Sequence, residues 1–214
     1  MCCLNWRITW RLCGYSWLQD DSIVTDDNAI DLFVDGAALF VSQLDDIQKA
    51  KSYIFIQSYI FRQDELGRQF MEALCQKARE GLEVRLLVDG MGSMLVPRRF
   101  FRQLERAGGK VETFFPPFVP YLHFQINYRN HRKLLIVDGV VGYIGGFNVG
   151  DEYVGKGPLG YWRDTHLRFQ GSAVGGMELR FVQIGIMGRR THSRSSDLTL
   201  REYRGRTPAL HNRG

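Results

Sequence analysis

Three short runs of β-branched and aromatic residues, 53–61, 84–88 and 111–115, are separated by two stretches of helical spacing, 66–79 and 97–107. No other feature constrains the chain as strongly. Strand, helix and strand in succession imply parallel neighbours in one α/β sheet, with right-handed crossovers and helices over its faces. Phe70, Met71, Leu74, Cys75 and Ala78 mark the buried stripe of the first helix, and Gly81 suits its end. Pro97 opens the second helix and Gly108-Gly109 stops it. A further helix is expected over 35–49, from the rhythm of Leu39, Phe40, Leu44 and Ile47. Residues 131–137 and 140–144 read as two strands joined by Asp138-Gly139, a strong hairpin signal. Residues 165–169 read as one more strand, and 173–182 as a helix or part of one. The sequence has no internal repeat.

Of the 214 residues 44% are apolar and 24% charged, enough for a core, which excludes a collagen-like, disordered or disulfide-scaffold chain. The formal charge of +5 is confined to the end of the chain. Residues 183–214 hold seven arginines against Asp197 and Glu202, so the rest is neutral overall and nucleic acid is not an expected partner. Cys2, Cys3, Cys13 and Cys75 form no C-x2-C pair and stand beside no His pair, so free thiols in a reducing compartment are expected, with no metal site. No uncharged apolar stretch is long enough to span a bilayer. Residues 1–18 are apolar but broken by Arg7 and Arg11, which reads as a packed or frayed start rather than a signal peptide; a weak interfacial anchor is the alternative. Residues 115–128, with Pro116, Pro117 and Pro120 among aromatics, are expected to fold back on the domain, His123 being an ordinary packed loop histidine; lining a lipid cleft is the alternative.

The segment that carries chemistry is Asn130-His131-Arg132-Lys133, followed by Asp138, Gly145-Gly146 and Asn148. Alternate side chains of a strand share a face, so His131 and Lys133 project together and Arg132 opposite. An imidazole beside an ammonium suits a phosphodiester: Lys133 neutralises the phosphoryl oxygens, and His131 acts as nucleophile or proton carrier. Gly145 and Gly146 let backbone N–H groups approach an anion, and the Asn148 amide is placed to donate to a phosphoryl oxyanion. Asp138, five residues after Lys133, completes the pattern; its place at the turn points to orienting the hairpin or a neighbouring base. Composition alone would produce an H-x-K-x4-D match about 0.01 times in a chain of this make-up.

The pattern resembles the phospholipase D superfamily and, within it, the bacterial cardiolipin synthases. The resemblance extends beyond H-x-K-x4-D. It includes Tyr59-Ile60-Phe61 with Asp64 and Gly67, Val84-Arg85-Leu86-Leu87-Val88-Asp89, Gly92-Ser93, Gly145-Gly146-Phe147-Asn148-Val149-Gly150-Asp151-Glu152-Tyr153 and Trp162-Arg163-Asp164-Thr165-His166. Residues 28–183 are covered. The resemblance implies a mixed β-sheet flanked by helices and a mechanism without metal or other cofactor. One motif histidine forms a phosphohistidine, and a histidine of a second motif copy protonates the leaving alcohol. It implies transfer of a phosphatidyl group from one phosphatidylglycerol to another, with His131, Lys133 and Asp138 as catalytic residues and Gly145, Gly146 and Asn148 at the phosphate. The implied partners are phosphatidylglycerol or another anionic phospholipid and a membrane surface, with the protein peripheral to the cell membrane.

Such enzymes carry two motif copies, and here none of His123, His166, His192 and His211 is followed two residues on by Lys. The chain is therefore read as a single lobe of what is normally a two-lobe enzyme: an ill-defined segment 1–27, a catalytic lobe 28–183 and a basic tail 184–214. The family continues near this point into Asp-Trp. One base inserted before the Ile184 codon would restore that pair from Ile184-Gly185-Ile186-Met187-Gly188, so the tail is expected to be out of frame or disordered. A second motif copy would have to come from another chain or the missing half. The competing readings are a single-motif, dimeric phosphodiesterase or nuclease of the same superfamily, and a fragment without activity.

Overall fold

The computed structural model describes residues 25–114, 130–158 and 160–190, with side chains through 185. Seven strands form one sheet: β1 (Ala29–Asp35), β2 (Tyr53–Ser58), β3 (Glu83–Asp89), β4 (Lys110–Phe114), β5 (Leu134–Val137), β6 (Val141–Gly145) and β7 (Arg163–Gln170). Their order across the sheet is β1-β7-β6-β5-β2-β3-β4. The pairs β2–β3 and β3–β4 are parallel, as strand–helix–strand alternation requires, and the other pairs are antiparallel.

Alternation along the strands sends side chains to two cores. Ile54, Ile56, Leu86, Val88, Leu135 and Val137 face the helices α1 (Gly36–Lys49), α2 (Glu65–Arg79) and α3 (Arg98–Arg106). Phe55, Leu87, Leu134 and Ile136 face α4 (Ala173–Arg190). Three of the helix starts have a local cause, whereas α4 is capped from a distance by Asn28, which accepts from Ala173 N at 2.9 Å. Asp35 caps α1 by accepting from Ala38 N at 3.0 Å, and Asp64 caps α2 by accepting from Gly67 N at 2.9 Å. Pro97 precedes α3, and Gly108, with φ of 102°, lets the chain turn away after it.

The caps also hold distant segments. The second oxygen of Asp64 accepts from Asp151 N at 2.7 Å, and the Asp151 carboxylate accepts from Leu66 N at 2.9 Å. This exchange ties the start of α2 to the single helical turn Asp151–Val154, which follows β6. On the other side, Tyr143 donates to Asp46 at 2.5 Å and Arg168 donates to it at 2.8 Å, joining α1 to β6 and β7 beneath the surface.

The structure departs from the sequence reading in three places. β1 follows no expected strand: Ile30, Leu32 and Val34 alternate in it but remain exposed at the edge of the sheet. The strand expected from residue 131 begins at Leu134, because Gly145 N, bonded to Lys133 O at 3.4 Å, is the last link of the ladder. The turn itself follows expectation, with φ of 54° at Asp138 and 67° at Gly139, the signature of a type I′ turn. Finally, α4 runs to Arg190, through the boundary expected at 183/184. Val174, Met177, Phe181 and Ile184 continue one helical stripe across it, and Ile184 is buried against the α4-side core. Over 184–190 the chain is helical, where a disordered or out-of-frame tail was expected; residues 191–214, the loop 115–128 with His123, and residues 1–24 lie outside the described residues.

Candidate active site

The sheet edge formed by the ends of β2, β3 and β6 and the lead into β5 gathers the polar side chains. Lys133 is 3% exposed, yet its ammonium reaches the rim, where its Nζ stands 2.8 Å from His131 Nδ1 and 3.2 Å from Nε2. It also donates to the His131 carbonyl at 2.7 Å. The two groups expected to share a face are thus in contact, with His131 exposed at the surface and Lys133 anchored below it. Tyr59, just after β2, completes the wall. Its ring lies 4.7 Å from the imidazole and 5.5 Å from the Lys133 ammonium, a cation–π distance.

Asp89 sets the entry to this segment. Buried at the end of β3, it accepts from Asn130 N at 3.1 Å with one oxygen, and from Met91 N at 2.9 Å and Gly92 N at 3.2 Å with the other. The Asn130 side chain in turn accepts from Gln57 Nε2 at 2.5 Å. Position 131 is therefore held by side-chain bonds from two neighbouring strands rather than by a ladder.

The electrostatics prepare both groups. Loss of water on one side of the ring, and secondly the Lys133 ammonium, hold the His131 imidazole below the ordinary histidine value; Asp89 and Asp164 pull it up. The ring is neutral at neutral pH and retains a lone pair. Burial brings Lys133 down to about 8, against the upward pull of Asp164. Burial pushes His166 down to about 4, so it too is neutral. Neither of its ring nitrogens has a hydrogen-bond partner among the described residues, and it lines a small cleft with Lys133, Gln57 and Ser58.

Asp164, on β7, acts on His131, Lys133 and His166 together and is the site residue that the reading of single motifs missed. Its only signal was its place in the Trp162–His166 block. It explains the two glycines better than the expected anion contacts do. A Cβ on Gly146 would stand 2.1 Å from Asp164 Oδ1, and one on Gly145 would stand 2.5 Å from His166 Cα. The backbone N–H of Gly146 is bonded to Thr165 O at 2.9 Å, and that of Gly145 to Lys133 O. Sheet pairing to the end of β6 has taken both donors, so these glycines clear space for Asp164 and His166 instead of cradling an anion.

Asn148 is buried and held at both ends. Its Oδ1 accepts from Ile60 N at 3.0 Å and its Nδ2 donates to Tyr153 Oη at 2.7 Å, leaving one amide hydrogen for an oxyanion. Asp138 stands apart from the group. Its carboxylate accepts from Lys51 N and Ser52 N at 2.8 Å and from Tyr53 N at 2.9 Å, beyond the far end of β5. Seven residues at ~3.3 Å each put it roughly 20 Å along the chain from His131. The catalytic assignment of Asp138 is corrected accordingly: it fastens the hairpin to the chain entering β2. Asp138→Ala should cost about 2 kcal/mol in denaturant unfolding, because three N–H groups lose their acceptor. Turnover per folded molecule should stay as it was; lost turnover at unchanged stability would return Asp138 to the site.

A neutral imidazole against an ammonium at the rim of an α/β sheet, with a carboxylate acting on both, suits attack on a phosphodiester. Comparison with known proteins gives the family. Residues 44–156 match the family described as cardiolipin synthase, phospholipase D-like domain, and the chain belongs to that family. It is 50% identical to the major cardiolipin synthase ClsA of Bacillus subtilis over 166 residues, covering 77% of this chain and 34% of that protein. It is likewise 50% identical to the cardiolipin synthase of Listeria innocua over 176 residues, 82% of this chain and 36% of the relative. The chain thus spans about a third of the length of these relatives. Among solved structures, NucT from Helicobacter pylori matches with a TM-score of 0.59 at 15% identity, covering 76% of this chain and 98% of that one. The phospholipase D family member Nuc from Salmonella typhimurium matches with a TM-score of 0.56 at 18% identity, covering 76% and 96%. These two place the fold, a phospholipase D-like mixed sheet between helices. Among the described residues no helix is long and apolar enough to cross a membrane.

Proposed function

We propose that this chain supplies one catalytic half of a phosphatidyltransferase that joins two phosphatidylglycerol molecules into cardiolipin. The observation that carries the reading is the contact of His131 with Lys133 in a chain half identical to cardiolipin synthases. Neutral His131 attacks the phosphorus of one phosphatidylglycerol, the bond from phosphorus to the headgroup glycerol oxygen breaks, and glycerol leaves. Lys133 balances the charge on the non-bridging oxygens, and the remaining Asn148 hydrogen is a further donor. Asp164 favours the charged form of Lys133 and offsets the positive charge that develops on the imidazole. A hydroxyl of a second phosphatidylglycerol then attacks the phosphohistidine, giving cardiolipin and free His131. The proton given to glycerol, and regained from the second hydroxyl, passes through an acid–base group from a second motif copy.

Support for that second copy comes from the open face of β1, β7 and β6. Ile30, Leu32, Val34 and Ile144 stand exposed there, Leu32 at 63%, an apolar sheet face of the kind that marks an interface. The test uses the full chain, vesicles of phosphatidylglycerol labelled in its headgroup, and size-exclusion chromatography. Release of labelled glycerol with a phosphatidyl adduct on His131 is expected in samples quenched with cold denaturant at neutral to mildly alkaline pH, where a phosphorus–nitrogen bond survives, in a species larger than one chain. Glycerol retained and no adduct, or cleavage of single-stranded DNA in place of lipid turnover, would overturn the reading.

A further inference from the structure

We infer that the loop 90–97 and helix α3 form a docking surface for an anionic lipid bilayer, seated beside the catalytic rim. The inference rests on the phospholipid substrate proposed above and assigns the segment that meets the lipid.

Two features coincide here. The loop presents Leu95 at 80% exposure, Met94 at 51% and Met91 at 39%, three apolar side chains in water within five residues. The helix that follows is RRFFRQLER. At 100° per residue, Arg98, Arg99, Arg102 and Arg106 lie within roughly a quarter to a third of its circumference. Phe100, Phe101 and Leu104, all buried, occupy the opposite arc. Core packing therefore fixes the rotation of α3 and turns all four guanidinium groups outward. None of the four has an ion-pair partner among the described residues. Glu105, exposed at the edge of the arginine arc, offsets one of the four charges, so α3 keeps a net excess of three that the overall neutrality of residues 1–182 conceals.

An apolar tip followed by a row of arginines matches a bilayer surface. The tip enters below the headgroups, and the arginines meet lipid phosphates, which they bind bidentately. A nucleic acid would use the arginines and leave Met91, Met94 and Leu95 without a role. A second catalytic lobe has its own apolar face at the other end of the sheet. β1 is the first strand in the order and β4 the last, so that face and the α3 side are separated by about 20–30 Å at ~4.8 Å per strand.

The position relative to the chemistry favours the same occupant. Gly92 is pressed against Tyr59, where a Cβ would stand 2.1 Å from the Tyr59 carbonyl oxygen, and the Tyr59 ring lies 4.7 Å from His131. Ser93 Oγ donates to the Tyr59 carbonyl at 3.4 Å and accepts from Phe61 N at 3.2 Å. The loop and the imidazole thus share one wall. A bilayer that receives Leu95 brings its phosphate layer to the level of the site, and α3 then runs away from the rim. Arg98 and Arg99 should consequently contribute more than Arg106, which stands about 12 Å further along the helix.

The experiment measures partition of the full chain onto vesicles of phosphatidylglycerol mixed with phosphatidylcholine, and onto phosphatidylcholine alone. Partition should fall with salt and with loss of the anionic lipid. Arg98→Glu with Arg99→Glu should weaken it at least tenfold, whereas Arg79→Glu, at the end of α2 on the opposite edge, should leave it unchanged. Leu95→Trp, a conservative change in water, should place a fluorophore that brominated phosphatidylglycerol quenches. The inference is overturned if Leu95→Trp is not quenched, if Arg98→Glu with Arg99→Glu partitions like Arg79→Glu, or if Leu95→Asp converts a dimer to a monomer. The readout is independent of turnover. Partition that survives His131→Ala while transfer never occurs sinks the proposed function alone. Transfer from detergent-dispersed lipid by a chain that ignores vesicles sinks the docking surface alone.

Discussion

Replacing His131 by alanine should lower phosphatidyl transfer by about 10^4-fold or more, because the residue forms the bond to phosphorus and no other described side chain can take over that step. The loss should fall on kcat. His131 is exposed, touches Tyr59 and Lys133, and belongs to neither core cluster, so the melting temperature should hardly move. Isolation of a phosphatidyl adduct from wild type and its absence from His131→Ala would place the loss at nucleophilic attack. A variant that retains even a tenth of the wild-type rate would mean that the imidazole is a bystander. The neutral His166 is the control: it is buried and away from solvent, so His166→Asn should perturb stability more than the first chemical step.

Lys133 should produce the second largest effect and a specific pH signature. Lys133→Met removes the cation facing the phosphoryl oxygens and should cost roughly 10^2 to 10^3 in kcat. In the unmodified protein, burial brings this ammonium to about 8, so its charge, and activity with it, should decline as pH rises through about 8 rather than above 10. His131 sets the other limb. Its value is lowered, so the neutral, attacking form persists below the ordinary histidine range and is lost only as pH falls further. The expected profile of kcat/KM is a bell with its acid limb displaced downward and its alkaline limb near 8. Asp164 supports the lysine charge, so Asp164→Asn should draw the alkaline limb to lower pH. A profile flat to pH 10 would show that Lys133 does not act as the charged group.

How much of this was legible beforehand follows from the range of each interaction. The helices over 36–49, 65–79 and 98–106 could be read because their signals are local: a stripe repeating within one element, an Asp or Pro at the start, a glycine past the end. The contact of His131 with Lys133 was equally local, two residues apart on an extended segment. β1 was not legible. Its alternation points apolar residues toward solvent, and only its pairing with β7 makes it a strand. The roles given to Gly145 and Gly146 were misjudged for a related reason. Their sequence shows a lack of side chain but not which neighbour needs the space, and that neighbour is β7.

By itself the amino-acid sequence determined the alternation of strands and helices, the type I′ turn at Asp138-Gly139, and the imidazole–ammonium pair, because each depends on geometry within a few residues of chain. Only the tertiary structure decided that Tyr59, just after β2, and Asp89 and Asp164, from β3 and β7, surround that pair while Asp138 lies far from it. Strand order and the burial of two sheet faces set those meetings, and neither is a property of any one segment.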